Sequence, residues 1–250
     1  MTTTLEENGV YMIESSGTLY GIGVGPGDPE LITLKAVNVL KKVDVVFTAS
    51  STKNSFSLAV TIARPHISET TPVSFLPFPM TSDKAITQKA WQENAETVFQ
   101  ELEQGRNVAF LTLGDPMTYS TFGYLLHHLE AKETPVNIEV IPGVTSYQAA
   151  AARINRPLVE GEESLLVTSG AYGGDNLRRL TQCAENIVLL KAYKNVDDIA
   201  DALSQADLLE HSVAVSHCGR EDESIIEDIR DLSSRKPDYW TLILTKQGKQ

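Results

Sequence analysis

Between Leu19 and Leu40 the chain runs Leu-Tyr-Gly-Ile-Gly-Val-Gly-Pro-Gly-Asp-Pro-Glu and then Leu-Ile-Thr-Leu-Lys-Ala-Val-Asn-Val-Leu. A short apolar run passes through glycines at alternate positions, Gly21, Gly23, Gly25 and Gly27. It then meets Leu31, Leu34, Val37 and Leu40 at helical spacing. Glu30 falls in the expected first turn, where the helix dipole favours an acid. The pattern predicts a strand, a glycine loop and a helix, and so commits the chain to an α/β unit. Glycine lets backbone come close to another molecule or take positive φ. The dinucleotide fingerprint needs a third glycine three residues after the second. That position is Pro26 in one register and Asp28 in the other, so neither fits. No Gly-Lys-Ser/Thr follows, which excludes a P-loop. A ligand loop of another kind and a tight turn with no ligand both stay open here.

The net charge of −12 argues against nucleic acid as a partner, because phosphate binding needs a basic face. An anionic substrate would need a local basic pocket in this acidic surface. No run approaches the roughly 18 apolar residues of a membrane helix, so no membrane partner is expected. Residues 1–16 hold Glu6, Glu7 and Glu14 and no basic residue, which reads as a frayed extension rather than a signal peptide. Cys183 and Cys218 lie too far apart to suggest a disulfide framework or a metal site. A reducing cytoplasm is the expected compartment, and both read as small core residues.

Along the chain, Val43–Phe47 reads as a strand, residues 50–57 as a polar loop and Leu58–Ile67 as a helix until Pro65. Pro72–Pro79 reads as extended and loop-like. Thr81-Ser82-Asp83 can cap a helix over Lys84–Gln104, with Gly105 ending it. Asn107–Leu113 lacks alternation, which predicts a strand buried on both faces of a parallel sheet. A helix over Ser120–Ala131, a strand over Asn137–Ile141 and a helix from Thr145-Ser146 to Arg153 follow. The first half therefore alternates strand and helix, and its strand ends at Gly23–Asp28, Gly114–Thr118 and Pro142–Ser146 are glycine- or proline-rich. The expected organisation is an extension over 1–16, an α/β domain over 17–155 and a second over 156–250. In the second, Ser164–Thr168, Ile187–Leu190, Ser212–Ser216 and Tyr239–Thr245 read as strands. Asp175 is expected to cap a helix to Ala184, with further helices over Val196–Ser204 and Asp222–Leu232. Short strands here allow a mixed sheet.

Gly-Ile-Gly-Val-Gly-Pro-Gly-Asp-Pro at 21–29, Leu-Gly-Asp-Pro at 113–116, Ile-Pro-Gly-Val-Thr-Ser at 141–146 and Ser-His-Cys-Gly at 216–219 resemble the tetrapyrrole methylases, in family order from about Gly17 to Thr245. Phe78-Pro79-Met80, Phe110–Met117 with Ser120-Thr121, and Leu190-Lys191 resemble the branch that methylates carbon 20 of precorrin-2 or its cobalt-bearing counterpart. The resemblance implies a two-domain α/β fold, with a mostly parallel first sheet, a mixed second sheet and an active site in the cleft between domains. It implies S-adenosylmethionine as cofactor, S-adenosylhomocysteine as product, a tetrapyrrole of cobalamin biosynthesis as substrate, no metal held by the protein, and a homodimer.

The cofactor positions it implies are Pro26, Leu113, Gly114, Asp115, Thr118, Thr145, Ser146, Lys191, Ala192, Gly219 and Thr241. Asp115 can orient the cofactor by charge-assisted hydrogen bonds, or cap a helix before Pro116. No catalytic residue is assigned. His217 is a candidate acceptor for the ring proton, against a satisfied histidine at a strand end, and His127 and His128 read as surface or packing residues. Arg153, Arg156, Arg178, Arg179, Lys191, Lys194 and Arg220 are candidates for the ring's carboxylates, against a solvated face. Thr168-Ser169-Gly170 and residues 50–57 depart from the family pattern. Methylation of another ring carbon, of diphthine or of ribosomal RNA, and a nucleotide-binding module without chemistry are the competing readings.

Overall fold

The computed structural model describes residues 4–5, 11–12, 16–50 and 57–246. Most of the expected N-terminal extension and of the polar loop at 50–57 lies outside them. β1 (Thr4–Leu5) and β2 (Tyr11–Met12) pair antiparallel. The chain forms two compact units, Met1–Val144 and Thr145–Gln250.

The first unit holds β3 (Thr18–Gly23), α1 (Leu34–Leu40), β4 (Val45–Ser50), α2 (Leu58–Ala63), β5 (Val73–Pro77), α3 (Lys84–Glu103), β6 (Val108–Thr112), α4 (Phe122–Glu130) and β7 (Asn137–Ile141). Its strands pair in the order β5-β4-β6-β3-β7, all parallel. Every residue of β6 is buried, as its unbroken apolar run requires. Alternate residues face opposite layers. Leu19, Val108 and Phe110 pack against α3 and α4, and Ile22, Ala109 and Leu111 against α1 and α2. Gly21 belongs to β3 rather than to a loop. A Cβ there would lie 2.4 Å from the fully buried Phe122 ring, so the glycine admits that ring against the sheet.

The stripe phased from Leu31 does not form one helix. Asp28 accepts from the Glu30 amide and starts a 3-10 turn over Pro29–Leu31; Ile32 is extended; the Thr33 hydroxyl then accepts from the Ala36 amide and starts α1. With that phase Ala36 and Leu40 are buried, and Leu34 is 81% exposed. Pro72–Pro79 also differs from expectation, since it contributes β5. A strand containing Pro77 is tolerated there because β5 lies at the sheet edge.

The second unit holds α5 (Ser146–Arg153), β8 (Leu165–Ser169), α6 (Asp175–Leu180), β9 (Asn186–Leu190), α7 (Val196–Gln205), β10 (Ser212–Ser216), β11 (Ser224–Ile226) and β12 (Thr241–Lys246). The order is β11-β10-β12-β9-β8, with β8 and β9 parallel and the other pairs antiparallel. Ile187, Leu189, Ala214 and Ile243 pack under α6 and α7, while Val188, Val215, Leu242 and Leu244 pack under α5. The helix expected over Asp222–Leu232 is replaced by β11 and a 3-10 turn over Ile229–Asp231, because Ser224–Ile226 pairs with β10. Asp175 is the first residue of α6 rather than its cap, and α6 stops at Leu180. Cys183 is exposed rather than a core residue, and Cys218 is buried.

Candidate active site

In the first unit, β3→α1→β4→α2→β5 moves toward one sheet edge with its helices on one face. β5→α3→β6→α4→β7 moves the opposite way with its helices on the other. Right-handed crossovers require that change of face. The neighbours β3 and β6 therefore send their chains out in opposite directions, and such a switch point opens a crevice at the strands' carboxyl ends. The three expected strand ends meet there, because β6, β3 and β7 are adjacent.

The loops are held by backbone contact. Gly25 N donates to Gly114 O at 3.3 Å and Gly114 N to Gly25 O at 2.7 Å. A Cβ on Gly143 would stand 2.1 Å from Gly114 O and 2.8 Å from Gly23 C, so three glycine backbones are in contact. Gly25 and Gly114 take φ of 88° and 70°, which a side chain would resist. Asp115 ties the cluster together. Its Oδ2 accepts from Gly143 N at 3.1 Å, and its Oδ1 from Met117 N at 2.9 Å and Thr118 Oγ1 at 3.3 Å. It caps no helix, since α4 begins only at Phe122 with Thr121 before it. Leu113, Asp115 and Thr118 are half-buried; Pro26 and Gly114 are buried.

The Thr145 hydroxyl accepts from Gln148 N, and the Gln148 side chain accepts from Thr145 N at 3.0 Å, forming a capping box at the start of α5. Ser146 is the first residue of that helix.

In the second unit, the carboxyl ends of β9 and β10 and the start of β12 lie together, since β12 runs antiparallel between them. This brings Lys191, Ala192, Gly219 and Thr241 to one end of the sheet. Lys191 has φ 58°, and the buried Ala192 donates its N–H to Thr241 O at 2.9 Å. Thr241 and Ser216 hydroxyls lie 2.8 Å apart. Gly219, at φ 78°, donates its N–H to Glu223 Oε2 at 2.8 Å, and Glu223 Oε1 meets Arg153 Nε at 2.5 Å. Burial pushes the Glu223 carboxyl up, but the Gly219 amide and Arg153 outweigh it and hold it below the usual carboxylate range. Burial, with Glu223 beside it, pushes the Cys218 thiol up to about 11, which disfavours a nucleophilic role.

His217 does not present a free ring nitrogen. Nδ1 lies 2.6 Å from Asp222 and Nε2 lies 2.7 Å from Asp238. Nothing local in the sequence marks those two aspartates as its partners; only the meeting of two loops does. Among the cations expected to meet ring carboxylates, Arg153, Arg178 and Arg220 pair with Glu223, Asp198 and Asp222. Lys191 Nζ sits 5.1 Å from the Tyr239 ring centroid and Lys194 Nζ 5.3 Å from that of Tyr193. Tyr239 and Trp240 are partly exposed, so lysines and aromatic rings share this end of the sheet.

The sequence model of the Tetrapyrrole (Corrin/Porphyrin) Methylases matches residues 18–232. The chain is 34% identical to the cobalt-precorrin-2 C(20)-methyltransferase of Salmonella typhimurium over 233 residues, 93% of this chain and 97% of that relative. It is 36% identical to the probable cobalt-precorrin-2 C(20)-methyltransferase of Methanocaldococcus jannaschii over 242 residues, with the same shares covered. The solved uroporphyrin-III C-methyltransferase of Thermus thermophilus, complexed with S-adenosylhomocysteine, aligns with a TM-score of 0.68 at 22% identity, over 92% of each chain.

Proposed function

This chain belongs to the tetrapyrrole (corrin/porphyrin) methylases, and from that premise we propose that it methylates carbon 20 of a precorrin-2-type ring, in its cobalt-bearing form, using S-adenosylmethionine in cobalamin biosynthesis. The carrying observation is the likeness, over nearly its whole length, to two relatives named for that reaction. The cofactor is supported by the complex of the Thermus thermophilus neighbour.

The residues fit that cofactor. A half-buried carboxylate, Asp115, is held still by three donors beside the apolar Leu113 and Pro26. Lys191 and Gly219 take positive φ just beyond β9 and β10, at the end of the second sheet where Thr241 also lies. In this reading Pro26, Leu113, Gly114, Asp115, Thr118, Thr145, Ser146, Lys191, Ala192, Gly219 and Thr241 are the residues that hold the cofactor. When bound it supplies a methyl group already activated by its sulfonium, so the chain need not offer a nucleophile. The protein's task is alignment of donor and acceptor. Lys194, on the Tyr193 ring, is suited to a carboxylate of a flat ring, and the exposed faces of Tyr239 and Trp240 to the ring itself. We read the protein as a cytoplasmic homodimer; sedimentation analysis tests the assembly.

The test is incubation of the purified protein with S-adenosylmethionine and precorrin-2, with and without cobalt in the ring. One added methyl group by mass, located at carbon 20 by NMR and formed faster on the cobalt ring, is the expected result. A methyl group on another carbon would overturn the position, and no transfer to either ring would overturn the activity.

A further inference from the structure

His217 stands just beyond β10 with φ 54°, in the left-handed region that histidine visits more readily than most residues with a side chain. Two carboxylates face its ring. Asp222 Oδ2 faces Nδ1 at 2.6 Å and Asp238 Oδ2 faces Nε2 at 2.7 Å. Nε2 is hydrogen-bonded to Asp238, and Asp222 Oδ2 stands against the other ring nitrogen. With a carboxylate against each nitrogen, neither is left open to a substrate proton.

The two aspartates sit on different loops. Asp222 follows β10, and Arg220 Nη2 meets the same Oδ2 at 3.1 Å. Asp238 precedes β12, where its Oδ1 accepts from Trp240 N at 2.9 Å and its carbonyl accepts from Thr241 N at 3.1 Å. The His217 amide itself donates to Trp240 O at 3.3 Å. One imidazole thus bridges the loop that contains Gly219 and the turn that delivers Thr241. Thr241 in turn accepts from the Ala192 amide.

We propose that His217 is a positioning residue: its ring clasps Asp222 to Asp238 and so holds Gly219, Thr241 and Ala192 in the register that binds the cofactor. This rests on reading those three residues as cofactor contacts.

Calorimetric titration with S-adenosylhomocysteine tests it on the wild type, His217→Gln, Asp238→Asn and the double variant. Asparagine at 238 keeps an oxygen for the Trp240 amide, so the turn into β12 survives while the charge is lost. Each single variant is expected to bind about tenfold more weakly, and the double variant about as weakly as one single, because the partners act as a unit. In turnover, KM for S-adenosylmethionine rises by a similar factor while kcat at saturation changes little. A purely structural role would lower the melting temperature and leave the affinity of the folded protein unchanged. Folded variants with wild-type affinity, or losses that add in the double variant, overturn the clasp. Should His217→Gln fail to fold, Asp238→Asn and Asp222→Asn carry the same comparison. A wild type that does not bind overturns the methyltransferase reading together with the clasp, whereas a binding wild type with unaffected variants overturns the clasp alone.

Discussion

Replacing Asp115 removes three hydrogen bonds from one carboxylate, and the three are not equivalent. Met117 is 61% exposed, so water can take over its amide, and the Thr118 hydroxyl can rotate to another acceptor. Gly143 N is half-buried beneath the Gly23 and Gly114 backbones and has less room to find water. A partly buried donor that loses a charged acceptor costs about 1–3 kcal/mol, and the two bonds whose donors find other partners add roughly 0.5 kcal/mol each. Asp115→Ala should therefore lower stability by about 2–4 kcal/mol. Asp115→Asn is the informative companion. It keeps one oxygen for Met117 and Thr118 but turns an amide N–H₂ toward the Gly143 N–H, so it should fall between wild type and alanine. Urea unfolding followed by tryptophan fluorescence measures both losses, and calorimetry with S-adenosylhomocysteine reads the site. An alanine variant within about 0.5 kcal/mol of wild type would refute the loop-tying argument. Unchanged ligand affinity in a folded alanine variant would remove Asp115 from the proposed site.

Gly143→Ala places a methyl group 2.1 Å from a carbonyl oxygen, so the loops must separate and stability should fall by more than about 3 kcal/mol. Gly123→Ala, on α4 with nothing within 4 Å of the new methyl, should instead be neutral or stabilising by up to about 1 kcal/mol; paired thermal melts compare the two. The Cys218 thiol, about 11 when folded, is raised from 9.0. A raised folded value means its contribution is complete below pH 9.0 and is lost as pH climbs toward about 11, by about 3 kcal/mol at most. Denaturation of wild type and Cys218→Ala across that window should show a steeper decline in the wild type, and parallel curves would refute the burial argument. Lys194→Ala should raise KM for the tetrapyrrole by up to about fivefold, the worth of one exposed ionic contact, with cofactor affinity unchanged; an unaltered KM excludes Lys194 from substrate binding.

Much of the architecture was legible because it depends on local pattern. The unbroken apolar run at Val108–Thr112 announced a central parallel strand, Asp83 announced the start of α3, and Thr145-Ser146 announced that of α5. Where local rules compete, the reading slipped. A three-residue leucine stripe suggested a helix from Leu31, yet Asp28 and Thr33 are separate caps that divide it and expose Leu34. Residues 222–232 have helical composition, but the free edge of β10 recruits Ser224–Ile226 as a strand. Edge pairing is a long-range gain that short sequence windows do not register.

The same division runs through the functional residues. Sequence alone determined the α/β class, the glycine- and proline-rich strand ends and the membership of the family, because these are written in residue types at short spacing. Only the tertiary structure decided what those residues touch. It put Gly21 beneath the Phe122 ring, set Gly143 against Gly114, and gave Asp115 an amide 28 residues away as partner. It also turned His217 from a possible base into a ring held by aspartates 5 and 21 residues further along. Hydrogen bonds and steric contact depend on distance in space, and strand order sets that distance.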